Sequence, residues 1–282
     1  LQYDKANRKV SDVVSASNNY DHDFNQWSPR MGVVHDITPQ QQIFASVSRN
    51  FEAPIHGLAG STTLATQAQS GTTYEMGTRG QANHGKSDYG WDATYYRANL
   101  NNEFLSACVV PGCLAPTTTN VPRTMHQGVE LGLSHLYDRH IDSRMALLYS
   151  DFKFVDSVHY GFNRLPGFPP LIVRAESLYR FGQEVNGKPG AYLGPKLEWV
   201  PRQAPMDNTN TVYRDAYTLI GFKAGQALDK KWSWFADARN LTNKRYAADT
   251  NISANLAGNA AGALYYPGDG RAIYFGIEAK ID

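Results

Sequence analysis

Two cysteines are the residues of this sequence with the clearest capacity for covalent chemistry. Cys108 and Cys113 enclose Val-Val-Pro-Gly, and the Pro-Gly pair predicts a turn that brings the two sulfur atoms together. In an exported protein such a pair oxidises to a small-loop disulfide. A redox or metal-binding dithiol is the alternative, although the spacing is not Cys-x-x-Cys and no second pair completes a zinc site. A structural disulfide is the interpretation that the spacing favours.

The other side chains with chemical capacity are dispersed. The eight His residues show no close spacing typical of metal ligands. His56, His126 and His159 could serve a hydrolase at one rim, but no Gly-x-Ser-x-Gly nucleophile motif occurs. The net charge is +1 and the basic residues are scattered, so they form no stripe for nucleic acid. We predict no catalytic residue, no metal site, no cofactor and no nucleic-acid partner.

The composition indicates strands rather than membrane-spanning helices. Charged residues make up 19%, aromatic residues 12%, and the mean hydropathy is −0.46. No window approaches the ~18–20 consecutive apolar residues that a transmembrane helix needs. A transmembrane barrel gives this profile because each strand is apolar on one face only, and a soluble all-β protein gives it too. The first ten residues contain no signal peptide, and the chain is expected to begin part-way through a longer protein.

Apolar and polar residues alternate with the period of two that is typical of strands. Val129, Leu131 and Leu133 share one face opposite Glu130, and Ile273, Phe275 and Ile277 share one face opposite Glu278. Such segments, bounded by turn residues, number about twelve. Their predicted spans are 1–14, 27–36, 42–51, 73–82, 89–104, 123–137, 143–155, 170–181, 190–200, 211–227, 231–242 and 270–281.

The connections between these segments alternate between short and long. Tight turns on one side and extended loops on the other are typical of an outer-membrane barrel, in which charged faces line a wet lumen. The aromatic residues Tyr95, Tyr96, Trp199, Tyr213, Trp232 and Tyr246 fall near strand ends, where an interfacial girdle would lie. Ordinary strand preference explains them as well, and a soluble β-sandwich stays open. We predict an all-β fold, a transmembrane antiparallel β-barrel whose apolar faces point away from the barrel axis.

Five segments, in order along the chain, resemble motifs of TonB-dependent outer-membrane receptors. The hairpin ending Ser48-Arg-Asn-Phe-Glu-Ala-Pro54 is similar to one that ends S-x-x-F-x-A-P, and Thr73–Gly80 resembles the next descending strand with its Tyr-Glu pair. His126–Leu133 contains the "G-V-E-L" strand. Asn240–Ala247 resembles "N-L-x-x-K-x-Y", and Tyr266–Arg271 resembles the "P-G-x-x-R" entry to the last strand.

This resemblance implies a 22-stranded barrel with a plugged lumen, of which residues 1–282 form the C-terminal part and about the last twelve strands. The plug domain is absent from this chain, as is the segment that contacts TonB. The family usually finishes on an aromatic residue, whereas this chain finishes on Ala-Lys-Ile-Asp. If the chain is only the last part, its first and last strands should not pair with each other, and transport should require the missing N-terminal part.

The resemblance also implies a function: active import of a scarce nutrient across the outer membrane of a Gram-negative bacterium, with energy from TonB. Ferric siderophores are the commonest ligands of the family, and cobalamin, haem, saccharides and copper are others. Tyr160, Phe162, Arg164, Tyr265 and Tyr266 lie in outer loops and suit an anionic ferric chelate, although they also serve simply to order the loops. The chain would contact outer-membrane lipid. A passive porin and a barrel hydrolase are the alternatives.

Overall fold

The computed structural model describes residues 1–10, 20–54, 62–63, 67–110, 113, 116–182, 190–259 and 263–280. These residues form eighteen strands and no helix, and no described segment is a helix capable of crossing a membrane. The strands are β1 (Gln2–Val10), β2 (Tyr20–Ser28), β3 (Arg30–Thr38), β4 (Gln41–Glu52), β5 (Thr62–Thr63), β6 (Gln69–His84), β7 (Ser87–Ala107), β8 (Thr117–Tyr137), β9 (Ile141–Phe154), β10 (Leu171–Phe181), β11 (Ala191–Val200), β12 (Ala204–Pro205), β13 (Tyr213–Arg214), β14 (Tyr217–Ala227), β15 (Trp232–Arg239), β16 (Ala247–Asn251), β17 (Leu264–Pro267) and β18 (Ala272–Ala279).

One large sheet accounts for most of the described chain. Its strands follow the order β3-β4-β6-β7-β8-β9-β10-β11-β14-β15-β18, each antiparallel to its neighbours, and β5 adds a short parallel pairing to β8. Antiparallel neighbours joined by local connections are the meander that the sequence predicts. Among the described residues β18 pairs only with β15, and β1 pairs only with β2. The first and last strands therefore do not pair, as expected.

The two faces of the sheet differ in chemistry, which the register makes explicit. Val129 pairs with Tyr149, Leu131 with Leu147, and Ala236 with Phe275, so the apolar residues of successive strands form continuous rows. We call this side the outward face and the opposite side the inward face. Ile273, Phe275 and Ile277 are 73%, 64% and 63% exposed, and within the described part of the chain no second sheet covers them. These side chains therefore form no dry core between two stacked sheets, and the sandwich is excluded.

The connections confirm the predicted alternation. Residues 39–40, 85–86, 138–140 and 228–231 are tight turns at one end of the sheet. The long connections lie at the other end, between β4 and β6, β7 and β8, β9 and β10, β11 and β14, and β15 and β18. They are less irregular than predicted, because β12–β13 and β16–β17 form two-stranded sheets within them. The strand boundaries also differ from the predicted ones. β7 ends at Ala107 rather than at residue 104, and β8 begins at Thr117 rather than at residue 123.

The strand β2 was not predicted. It precedes β3 directly, separated by Pro29, whose missing N–H interrupts the ladder while its carbonyl accepts the Arg49 N–H at 2.9 Å. In this strand one face carries Asp21, Asp23 and Asn25, and the other mixes Phe24 with His22 and Gln26, so it lacks the clean apolar alternation by which the other strands are recognised. A strand without a wholly apolar face gives only a weak period-two signal, which explains why the sequence did not reveal it.

Candidate functional site

The disulfide is formed, and it lies at the loop end of the sheet. Cys108 and Cys113 are bonded at an S–S distance of 2.02 Å, and Cys108 is 1% exposed. The backbone of Cys108 donates to the Ile252 carbonyl and accepts from the Ala254 N–H, both at 2.8 Å. The Asn251 side-chain amide donates to the Cys113 carbonyl at 3.0 Å. The disulfide therefore fastens the loop after β7 to the connection between β16 and β17.

Asp207 joins that connection to a further loop. Its fully buried carboxylate accepts hydrogen bonds from the Thr209 and Thr211 hydroxyls at 2.5 and 2.6 Å. It also accepts the backbone N–H groups of Thr211, Val212 and Leu256 at 2.8, 3.2 and 3.1 Å. Burial by itself raises the pKa of Asp207, but these hydrogen bonds outweigh it and lower the pKa below its ordinary value.

The loop between β9 and β10 is hydrogen-bonded to the loop that contains Asp207. Asn210 donates from its amide to the Arg164 carbonyl and accepts the Arg164 N–H on its side-chain oxygen, both at 2.9 Å. The Asn163 amide donates to the Asn208 carbonyl at 3.0 Å, and the Gly167 N–H donates to the Pro205 carbonyl at 2.9 Å. We call these interlocked segments, Cys108, 163–167, 204–214 and 248–256, the loop layer.

Beneath the loop layer the inward face is a polar wall of paired charges. Arg174 lies 2.8 Å from Glu198, and the Asp237 carboxylate lies 2.7 Å from Lys196 and 3.0 Å from Arg239. Arg174 and Glu198 face each other on the neighbouring strands β10 and β11, Lys196 reaches Asp237 across the intervening β14, and Arg239 lies two residues from Asp237 on β15. Each of these charges therefore meets a partner within the sheet. A concave cavity of about 550 Å³ opens on this face, bordered by Arg174, Lys196, Glu198, Arg239, Tyr246 and Asp269. Such a wall is typical of a wet lumen.

The five predicted ligand residues divide into exposed and engaged side chains. Phe162, Tyr265 and Tyr266 are 67%, 59% and 62% exposed, whereas Tyr160 packs on Phe154 with ring centroids 4.8 Å apart. Tyr265 and Tyr266 lie in β17, separate from the loop that carries Tyr160, Phe162 and Arg164. The structure shows no direct contact between these two described groups.

Arg164 occupies a different position from the one its loop location suggested. Its guanidinium donates to the Asp151 carboxylate and to the Ser150 carbonyl, both at 2.6 Å. Its backbone pairs with Lys153, and the register places Lys153 and Asp151 on the outward face with Tyr149. The Arg164 side chain is therefore anchored to the outer side of β9.

Sequence reasoning missed Asp207, whose carboxylate accepts five of the loop-layer hydrogen bonds. The signal available was the run Asp-Asn-Thr-Asn-Thr from Asp207, which is rich in side chains that bond their own backbone in turns. No periodicity marks such a hub: four of its donors lie within five residues of Asp207, and the fifth, the Leu256 N–H, lies 49 residues further along the chain. Among the described residues no three His, Cys, Asp or Glu side chains come together as a metal site. His56 lies outside the described residues.

An antiparallel sheet with an apolar exposed face, a charged inward face and long loops at one end is the wall of a membrane β-barrel. The family model described as "TonB dependent receptor-like, beta-barrel" matches residues 1–241. The chain therefore belongs to the TonB-dependent receptor family, whose members are outer-membrane β-barrels. A comparison with curated protein sequences found no match.

Solved structures of low sequence identity share the fold. The copper transporter OprC matches with a TM-score of 0.71 and 17% identity over 94% of this chain and 41% of its own. The ferric yersiniabactin uptake receptor FyuA from Yersinia pestis matches with a TM-score of 0.68 and 15% identity over 93% of this chain and 38% of its own. The siderophore receptor PiuA from Acinetobacter baumannii matches with a TM-score of 0.66 and 16% identity over 98% of this chain and 39% of its own. The chain spans about two fifths of these proteins, which are transporters and receptors rather than enzymes.

Proposed function

We propose that this chain is the C-terminal part of the barrel of an outer-membrane receptor that imports a ferric siderophore with energy from TonB. The observation that carries the proposal is the family match over residues 1–241. The similarity to receptors for ferric yersiniabactin and other siderophores supports the ligand class. The remaining strands of a 22-stranded barrel, the plug and the TonB-contacting segment would belong to the rest of the receptor.

The exposed aromatic side chains of the loop end supply the ligand contacts in this proposal. Phe162, Tyr265 and Tyr266 offer exposed flat surface, and both tyrosines carry a hydroxyl donor for an anionic chelate. Tyr160 and Arg164 support Phe162 by fixing its loop, and direct contact of either with the ligand stays a prediction. The loop layer favours ligand binding because its hydrogen bonds set the loop positions before the ligand arrives.

Copper import is the function of one structural neighbour, but this chain offers less for it. The described residues hold no cluster of three metal-binding side chains, and the whole sequence has five Met. A passive porin would share the barrel but would need neither TonB nor a proton gradient. A requirement for TonB therefore distinguishes the proposed receptor from a porin. The identity of the imported ligand distinguishes it from a copper transporter.

The test is uptake of ferric siderophores by iron-starved cells that express the full-length receptor and lack other siderophore receptors. Radioactive iron delivered as the siderophore should enter, and entry should stop in a tonB deletion strain or after addition of a protonophore. The triple variant Phe162→Ala/Tyr265→Ala/Tyr266→Ala should weaken ligand binding about tenfold or more. Val158→Ala, an exposed change in the same loop as Phe162, is the matched control. Energy-independent entry would overturn the proposal in favour of a porin.

A further inference from the structure

The outward face changes character abruptly near the loop end of the strands β4, β7, β8 and β9, of which β7, β8 and β9 are neighbours and β4 is separated from β7 by β6. On β4 the outward residues run Ile43, Ala45, Val47 and then Arg49, and on β7 they run Trp91, Ala93, Tyr95 and then Arg97. On β9 the outward Met145, Leu147 and Tyr149 are followed by Asp151 and Lys153. On β8 Arg123 lies beyond Val129 on the same face. The apolar band therefore ends, at its loop side, in a row of cations.

We call Arg49, Arg97, Arg123 and Lys153 the basic patch. Arg49 and Arg97 are exposed, and among the described residues no carboxylate lies within ion-pair distance of either guanidinium. The Arg97 side chain donates only to its neighbour Asn99, at 3.3 Å. Two arginines without counter-ions at the edge of an apolar band are an electrostatic feature that the folded sheet does not itself satisfy.

The other two cations have partners but remain in excess of them. Arg123 lies 3.1 Å from Asp156, and both side chains are more than half exposed. Lys153 lies 2.9 Å from Asp151, which is shared with Arg164 at 2.6 Å. Five cationic side chains against these two carboxylates leave a local net charge of +3.

The position of the basic patch specifies what it can bind. Tyr95 and Tyr149, 38% and 39% exposed, stand one outward position below Arg97 and Asp151, at the level of an interfacial aromatic girdle. A cation just above that level meets lipid headgroups, while its own strand is embedded in the acyl chains. Neighbouring strands lie about 4.8 Å apart, so the patch from β4 to β9 spans roughly 20 Å, wide enough for a headgroup with more than one phosphate.

We infer that the basic patch is a binding site for the phosphates of a multiply phosphorylated glycolipid in the outer leaflet. Arg49 and Arg97 provide the principal phosphate contacts, since a guanidinium binds phosphate through paired N–H donors. Arg123 and Lys153 add charge at the flank, and Arg164 holds Asp151 in place. The acyl chains of the same lipid lie along the outward rows below Tyr95 and Tyr149. The inference rests on the proposed outer-membrane location, but it concerns a different face from the nutrient site.

The experiment measures lipid binding to the detergent-solubilised full-length receptor by native mass spectrometry. The probes are lipid A with two phosphates and the same lipid with its phosphates removed. The variant is Arg49→Gln/Arg97→Gln, and the matched control Arg139→Gln/Arg202→Gln removes two exposed charges elsewhere, one of them in a tight turn at the opposite end. Heat-dependent mobility in gel electrophoresis confirms that each variant is folded.

The phosphorylated lipid should bind the wild type and the control alike, and the Arg49/Arg97 variant about tenfold more weakly. Raising the salt concentration should shrink this difference, because exposed charges are screened. Equal binding of phosphorylated and dephosphorylated lipid, or equal losses in variant and control, would overturn the inference. Ferric siderophore binding, measured on the same preparations, should be unchanged by the variant. A failure of lipid binding thus leaves the proposed import function standing, and a failure of import leaves the lipid result standing.

Discussion

At the scale of single residues, Asp207 shows how one buried charge organises a surface region. A buried carboxylate is costly unless donors surround it, and here five donors from two loops do so. The consequence is mutual dependence: the loops position the donors, and the carboxylate keeps the loops together. Residues of this kind order a binding surface without touching the ligand.

We predict that Asp207→Ala loosens the loop layer while the barrel strands stay folded. Removing the carboxylate leaves the buried N–H groups of Val212 and Leu256 without an acceptor, at a cost of about 1–3 kcal/mol for each group. Hydrogen exchange should therefore accelerate in 207–212 and 252–256. Asp215→Ala in the same loop, whose exposed carboxylate only accepts from the Gln203 amide, is the control and should change little.

The same carboxylate predicts a pH dependence. Because folding lowers the pKa of Asp207, its stabilising contribution is present above the ordinary pKa of 3.8 and is lost as the pH falls through the folded value. Protection of 207–212 against exchange should thus decline on acidification below about pH 4 in the wild type. In the Asp207→Ala variant, protection of 207–212 against exchange should already be low at neutral pH and should not fall further on acidification. An equal acid response in both proteins would contradict this assignment.

At the scale of elements, the face that a strand residue occupies decides its tolerance of charge. Leu147 and Leu148 are adjacent on β9, yet Leu147 pairs with Leu131 and Val173 on the outward face. Leu148 pairs with Glu130 and Ile172 on the inward face. Because successive strand residues point to opposite faces, these two identical side chains lie in opposite environments. Substituting each of them in turn therefore tests which face is outward.

We predict that Leu147→Arg destabilises the full-length receptor in lipid by about 2–4 kcal/mol, because an arginine there faces the hydrocarbon. Leu148→Arg is the matched control: it places the same side chain beside Glu130 in the lumen and should cost far less. Equilibrium unfolding in lipid vesicles compares the two. If Leu148→Arg were the more damaging change, the inward and outward faces would be reversed.

At the scale of the whole molecule, the described sheet has two open edges. β18 has a partner strand on one side only, and so has β3 among the described residues. Unpaired N–H and C=O groups are costly in lipid and promote association between chains. In the complete receptor the missing strands of the barrel would occupy both edges, according to the proposed architecture.

We predict that residues 1–282, refolded alone into detergent micelles, form soluble aggregates without the heat-dependent mobility of a closed barrel. The full-length receptor, refolded in parallel, should be monodisperse and heat-modifiable. Restoring the upstream strands on a separate polypeptide should rescue the fragment if edge pairing is the cause. A monodisperse, heat-modifiable product from residues 1–282 alone would show that these strands close by themselves, and would contradict the proposed architecture.

The sequence by itself determined the repeating parts of this protein. Alternating residues such as Val129, Leu131 and Leu133 predict that a segment is a strand, which of its faces is apolar, and that successive strands form a meander. This is possible because lipid imposes the same alternation on every spanning strand. The local Cys108–Cys113 pair is likewise predictable, because its Pro-Gly turn is contained within the loop that it closes.

Only the tertiary structure decided the parts that depend on distant partners. The sheet register turned Arg164 toward Asp151 on the outer side of β9, although its loop position suggested a ligand contact. The Asp207 hub and the basic patch, with Arg49 and Arg97 two strands apart, combine residues that no short-range period relates. Local alternation sets which face a side chain occupies, but strand register and loop packing set which side chains from remote segments become neighbours.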